Sequence, residues 1–129
     1  MNGSTLSSPR RAVSILVIDD DDDIRDTLAE VLEEIGYSVA TASQGSEALD
    51  LLHEVNPQVI LLDLNMPVMS GAEFRAAQRR DPALRQIPTI VMTAVDRLPD
   101  RTADFACEEI LAKPFRLSDL LDLLKLYVG

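Results

Sequence analysis

The sequence predicts an α/β fold, a doubly wound parallel sheet with helices packed on both faces. Short aliphatic runs recur along the chain: Ile15-Leu16-Val17-Ile18, Val59-Ile60-Leu61-Leu62, Thr89-Ile90-Val91-Met92 and Ile110-Leu111-Ala112. Continuous apolar runs of this length, bounded by turn residues, fit strands buried on both faces of a parallel sheet. Segments with apolar residues at helical spacing alternate with them, which implies right-handed crossover connections. A third observation is chemical. The runs end in Asp19-Asp20, Asp63, Thr93 and Lys113-Pro114 respectively. Ligands of open α/β sheets bind beyond the carboxyl ends of the strands. Neighbouring parallel strands would therefore bring three carboxylates, one hydroxyl and one ammonium to a single crevice.

The elements follow in order. After the first run, Ile24, Leu28, Val31, Leu32 and Ile35 fall at helical spacing, and Gly36 supplies a C-terminal cap. Asp21 to Asp23 are placed to cap and charge the start of this helix, while Asp19 and Asp20 face the crevice. Residues 37–41 read as a short second strand. Residues 46–55 read as a second helix with Ala48, Leu49 and Leu52 inward, stopped by Asn56-Pro57. The third strand, 59–62, leads into a loop at 65–71 whose Pro67 and Gly71 mark tight turns. A third helix spans about 72–80 and ends at Asp81-Pro82; the fourth strand is 89–92. Between 94 and 109 the signal is weak. Pro99, several charges and few apolar anchors predict one or two turns near 100–105, or an irregular segment. The last helix, 117–127, lines up Leu117, Leu120, Leu121 and Leu124 on one stripe, with Ser118 near its start.

A chain of 129 residues, 47% apolar, is one domain with enough material for a core. No apolar stretch approaches the ~20 residues of a membrane span. The start of the chain is polar and Ser-rich with Arg10-Arg11 after it, and reads as a disordered leader over 1–12, followed by a domain over 13–129. The single cysteine, Cys107, excludes an internal disulfide and fits a reducing cytoplasm. A formal charge of −10 argues against direct nucleic-acid binding, which needs clustered Lys and Arg.

Asp63 is the candidate nucleophile, because a carboxylate can accept a phosphoryl group as an acyl phosphate. That reaction needs in-line positioning and neutralised oxygens more than covalent help. Three converging carboxylates repel one another, and Mg²⁺ with hard oxygen ligands removes the repulsion. Lys113 offers a point positive charge and Thr93 a hydroxyl donor for phosphoryl oxygens. Taken singly, each has an ordinary alternative as a helix cap, a surface lysine or a strand-end threonine. Their shared position at strand ends is what points to a site.

At these residues the chain resembles the receiver domain of two-component response regulators. The matching stretches are ILVIDDDDDIR (15–25), LLDLNMPVMSG (61–71), IVMTA (90–94) and LAKPF (111–115), and the likeness runs from about residue 14 to 127. The resemblance implies a flavodoxin-like (βα)5 sandwich with strand order 2-1-3-4-5, the order for which a receiver protein is a standard example. It implies that Asp63 is phosphorylated by a sensor histidine kinase or a histidine phosphotransfer protein. Asp20 and Asp63 would ligate Mg²⁺ directly, Asp19 mostly through water, and the backbone carbonyl of Asn65 would complete the set. Thr93 and Lys113 would hold the phosphoryl oxygens, and the Lys113–Pro114 bond would be cis. Signalling would pass to an unknown downstream protein from a cytoplasmic monomer or phosphorylation-dependent dimer, with no role for a membrane.

Two positions depart from the family pattern. Ile110 stands where receivers usually carry Tyr or Phe, and the segment between Thr93 and Lys113 is short, with Pro99 at the expected start of its helix. Both predict retained phosphoryl chemistry with an altered readout. A phosphate sink or shuttle and a degenerate, phosphorylation-independent interaction module remain alternatives; Val95, unable to orient a water, favours a longer-lived phosphoryl state. A Mg²⁺-dependent phosphatase would need an acid two residues after the nucleophile, where Asn65 cannot donate a proton. The chain therefore reads as a signalling module and not an enzyme.

Overall fold

The structure, a computed structural model, describes residues 11–64, 71–94 and 107–128. In chain order the elements are β1 (Arg11–Ile18), α1 (Asp22–Ile35), β2 (Val39–Ala42), α2 (Gly45–Leu51), β3 (Val55–Asp63), α3 (Gly71–Arg80), β4 (Thr89–Ala94), β5 (Glu109–Lys113) and α4 (Leu117–Tyr127). All five strands are parallel and lie in the order β2-β1-β3-β4-β5. This is the order that the sequence resemblance implies. The described residues include no helix long and apolar enough to cross a membrane.

Because side chains alternate across a strand, the aliphatic runs supply two cores at once. From β1 and β3, Leu16, Ile18, Ile60 and Leu62 point to one layer, where they meet Ala48 of α2, Leu52 just after it and Phe74 of α3. Ile15, Val17, Val59 and Leu61 point to the other, against Leu28 and Leu32 of α1 and Leu120 and Leu124 of α4. Burial on both faces explains why these strands are apolar without a polar alternation.

Local chemistry sets the helix ends. Asp21 is the N-cap of α1 and accepts the Ile24 N–H at 3.1 Å, with Asp22 and Asp23 in the first turn. Carboxylates there face the positive end of the helix dipole. Gly36 ends α1 at φ 120°, a left-handed conformation that costs a side-chain-bearing residue ~1–2 kcal/mol. Of the apolar positions on α1, Leu28 and Leu32 are buried, whereas Ile35 beside the exit is 49% exposed.

Several sequence boundaries need correction. β1 begins at Arg11, so Arg11 and Ala12 belong to the sheet and not to a leader; they pair with Val55 and Asn56 of β3. Residues 1–10 lie outside the described residues. The second helix ends at Leu51, and Asn56-Pro57 lies inside β3 instead of stopping a helix. Proline is tolerated there because β4 joins β3 only from Ile60 onward. Pro57 therefore lies where β3 is paired only with β1, and the missing N–H breaks no ladder on the other side. The second strand is 39–42, two residues later at its start than expected. The weak segment at 94–109 falls mostly on residues 95–106, outside the described residues, as do Asn65, Pro67 and Val95.

The far end of the sheet is tied by a phenol. Tyr127 Oη donates to Glu109 Oε2 at 3.0 Å, joining the last turn of α4 to the start of β5. Burial, and then the hydrogen bond to this carboxylate, pushes the Tyr127 phenol up from 10.0 to about 12. The protonated phenol is the form the fold favours. Its contribution is therefore complete below the unfolded pKa near 10 and is lost as pH rises toward about 12. An alkaline titration followed by phenolate absorbance is expected to show a late ionisation near that pH, absent from Tyr127→Phe. A Tyr127→Phe profile that keeps the late step would contradict the assignment.

Candidate functional site

Four strands deliver the site at the carboxyl edge of the sheet. Asp19 directly follows β1 and is fully buried. Its N–H donates to the Ala42 carbonyl at 3.1 Å, and its Oδ1 accepts the Asp21 N–H at 2.9 Å. The chain leaves the sheet here, so the next residue, Asp20, is exposed. Asp63 is the last residue of β3, 5% exposed and in register with Met92 of β4. Thr93 follows Met92 and is fully buried, and its Oγ1 has no hydrogen-bond partner among the described residues. Lys113 ends β5, opposite Ala94. The Lys113–Pro114 peptide is cis, as the resemblance implies.

The strand order brings these residues together although up to 94 positions separate them in sequence. One carboxylate oxygen each from Asp19, Asp20 and Asp63 lies within 4.8 Å of the others. Lys113 Nζ donates to Asp19 Oδ2 at 3.1 Å and stands 3.7 Å from Asp63 Oδ1. With two carboxylates buried, their mutual repulsion is poorly screened by solvent. Among the described residues, the three carboxylates meet one ammonium at ion-pair distance, that of Lys113, which leaves a deficit of two positive charges there. A divalent cation with a preference for hard oxygen ligands fits both the donor set and that deficit. The buried, unpartnered Thr93 hydroxyl is a second sign of a missing polar group, since buried hydroxyls are ordinarily paired.

The sequence profile of the response regulator receiver domain matches residues 15–125. The chain belongs to this family. Response regulator MprA of Mycolicibacterium vanbaalenii is 40% identical over 111 residues, 84% of this chain and 47% of that protein. Transcriptional regulatory protein PrrA of Mycobacterium leprae is 37% identical over 118 residues, 90% of this chain and 48% of that protein. This receiver thus spans about half the length of the curated relatives it matches. Among solved structures, chemotaxis protein CheY4 of Vibrio cholerae superposes with a TM-score of 0.80 at 30% identity, covering 93% of this chain and all of that one. Response regulator TrrA of Thermotoga maritima, solved in complex with Mg²⁺-BeF, gives 0.78 at 31% identity, covering 92% of this chain and 99% of its own. This receiver is accordingly a signalling module of two-component systems.

Of the residues singled out from sequence, the structure brings Asp19, Asp20, Asp63 and Lys113 into one cluster. It places Thr93 at the same edge of the sheet without a hydrogen bond to that cluster. Asn65 lies outside the described residues. Ile110 sits in β5 opposite Val91, half-buried. Sequence reading passed over Arg25, whose Nη1 donates to the Asp19 backbone carbonyl at 3.2 Å. The available signal was its spacing three residues after Asp22, the reach of a helical ion pair.

Proposed function

We propose that Asp63 is the phosphoacceptor of this receiver, supplied by a phosphohistidine of a sensor kinase or a histidine phosphotransfer protein. The observation that carries the reading is the placement of Lys113 Nζ, 3.1 Å from Asp19 and 3.7 Å from Asp63, beside three carboxylates within mutual reach of one cation. In the transfer a carboxylate oxygen of Asp63 attacks phosphorus. The P–O bond forms as the P–N bond breaks, and the imidazole leaves with the electron pair and is protonated by solvent. Asp19, Asp20 and Asp63 would hold Mg²⁺, with the Asn65 carbonyl as a further ligand. The ion supplies charge neutralisation for the phosphoryl oxygens when bound. Lys113 then exchanges a carboxylate contact for a phosphoryl oxygen, and Thr93 gives its buried hydroxyl a partner.

A protein donor is supported by an apolar recess of about 340 Å³ between α1 and the β5–α4 turn, lined by Asp23, Ile24, Thr27, Leu28 and Phe115. One lining residue, Phe115, follows Lys113 by two positions, and the recess offers a foothold for an apolar side chain of the partner. A downstream protein would read the phosphorylated state.

Incubation with acetyl phosphate and Mg²⁺, followed by intact mass, tests the reading. A gain of about 80 Da, one phosphoryl group, is expected with Mg²⁺ and not with a chelator present. No gain at saturating Mg²⁺ would sink the proposal and favour a phosphorylation-independent interaction module.

A further inference from the structure

Arg25, on the first turns of α1, spends every guanidinium nitrogen on a separate acceptor. Nη1 donates to the Asp19 carbonyl at 3.2 Å, Nη2 meets Asp22 Oδ1 at 2.8 Å, and Nε lies 3.4 Å from Asp26 Oδ1. The side chain is only 14% exposed, whereas both carboxylate partners are 70% exposed or more. An exposed ion pair alone does not require a buried guanidinium. Of its three acceptors, the one that does not belong to an exposed side chain is the Asp19 backbone carbonyl.

That carbonyl belongs to the peptide joining Asp19 to Asp20. With it, every polar group of Asp19 is engaged: the N–H by Ala42, Oδ1 by the Asp21 N–H, Oδ2 by Lys113 and the carbonyl by Arg25. Among the described residues Asp20 has no such frame of its own. It is exposed, yet its carboxylate must reach the same cation as the two buried ones. The orientation of the preceding peptide plane sets where its side chain leaves the backbone. We propose that Arg25 is a positioning residue for the metal site, fixing the Asp19–Asp20 peptide so that the Asp20 carboxylate is preset for the cation. The inference rests on the reading of Asp19, Asp20 and Asp63 as the Mg²⁺ site. A planar, rigid fork suits the task; a lysine ammonium could reach one acceptor but not span three.

The sign of the effect separates positioning from simple charge. Arg25 is a cation close to a cation site, so its charge alone opposes Mg²⁺, and its removal would tighten binding. Positioning predicts the reverse. Loss of groups that orient ligands typically weakens metal affinity by ~10–100-fold. Isothermal titration of Mg²⁺ into the metal-free 129-residue protein, at constant ionic strength, reads this without any activity. Arg25→Met is expected to weaken Mg²⁺ binding by about 10-fold or more, and Arg25→Lys by a smaller factor, ~3-fold. The phosphorylation rate of both variants should return to near the unsubstituted value once Mg²⁺ saturates.

Equal or tighter binding by Arg25→Met would overturn the positioning role while leaving the site itself intact. If Arg25→Met does not fold, Arg25→Lys, which keeps the charge, decides: unchanged affinity counts against positioning. No Mg²⁺ binding by the unsubstituted protein would overturn this inference together with the site reading on which it rests.

Discussion

Asp63→Asn is expected to take up no phosphoryl group from acetyl phosphate, even at saturating Mg²⁺, and so to lose the gain of about 80 Da entirely. Asparagine keeps the size and much of the hydrogen bonding of the side chain, but its neutral amide oxygen is a poor nucleophile toward phosphorus. The same substitution makes a second, independent statement. It lowers the number of converging carboxylates from three to two beside one ammonium, which relieves repulsion at a site where Asp19 and Asp63 are buried. The metal-free variant is therefore expected to melt higher than the unsubstituted protein. Mg²⁺ should raise the melting temperature of the unsubstituted protein by mass action, and that of Asp63→Asn less. Thermal unfolding with and without Mg²⁺ measures both. Retained mass gain in Asp63→Asn would move the acceptor elsewhere, and an unchanged Mg²⁺ response would remove Asp63 from the ligand set.

The second large effect is assigned to Lys113. Lys113→Met keeps most of the aliphatic stem while deleting the ammonium that stands between Asp19 and Asp63. By the proposed mechanism that ammonium meets a phosphoryl oxygen during transfer. Its loss is expected to slow phosphorylation by ~10²–10³-fold, about 3–4 kcal/mol of transition-state stabilisation. Affinity for Mg²⁺ should move the other way, because the local deficit grows from two positive charges to three. A time course of phosphorylation across a Mg²⁺ titration separates the two. A rate within about threefold of the unsubstituted protein at saturating Mg²⁺ would show that Lys113 acts only as a counterion in the resting site, well short of the effect expected for a transition-state partner.

These two substitutions and the Arg25 series bear on different parts of one arrangement. By the proposed mechanism Asp63 would carry the bond-forming oxygen, Lys113 the charge that follows it, and Arg25 would hold the backbone that aims a ligand. Stability, Mg²⁺ affinity and rate are expected to respond differently to each. A general loss of folding could not produce the three patterns together.

Much of this was legible in the residues themselves. The aliphatic runs, the Asp21 cap, the Gly36 exit and the chemistry at each strand end are local signals, set by the two-residue alternation of strands, the 3.6-residue period of helices and the conformational limits of single residues. The family motifs carried the strand order. Other features depended on partners distant in sequence. Pro57 read as a helix stop, but it lies in β3 because β4 begins its pairing only at Ile60. Gln78 is fully buried and its Nε2 donates to the Leu84 carbonyl at 2.9 Å, bracing α3 against the turn that feeds β4, a role that nothing in its immediate sequence marks. Tyr127 gave no sign of its tie to Glu109.

The site divides in the same way. The sequence by itself determined which groups stand at the ends of the strands: Asp19, Asp20, Asp63, Thr93 and Lys113. Only the tertiary structure decided that β1 and β5 approach β3 so that one ammonium reaches both Asp19 and Asp63, and that Arg25 turns inward to the Asp19 carbonyl. Strand-end chemistry is a property of a few adjacent residues. Distances between strands, and the burial that gives their charges leverage, come from packing two apolar layers against the sheet at once.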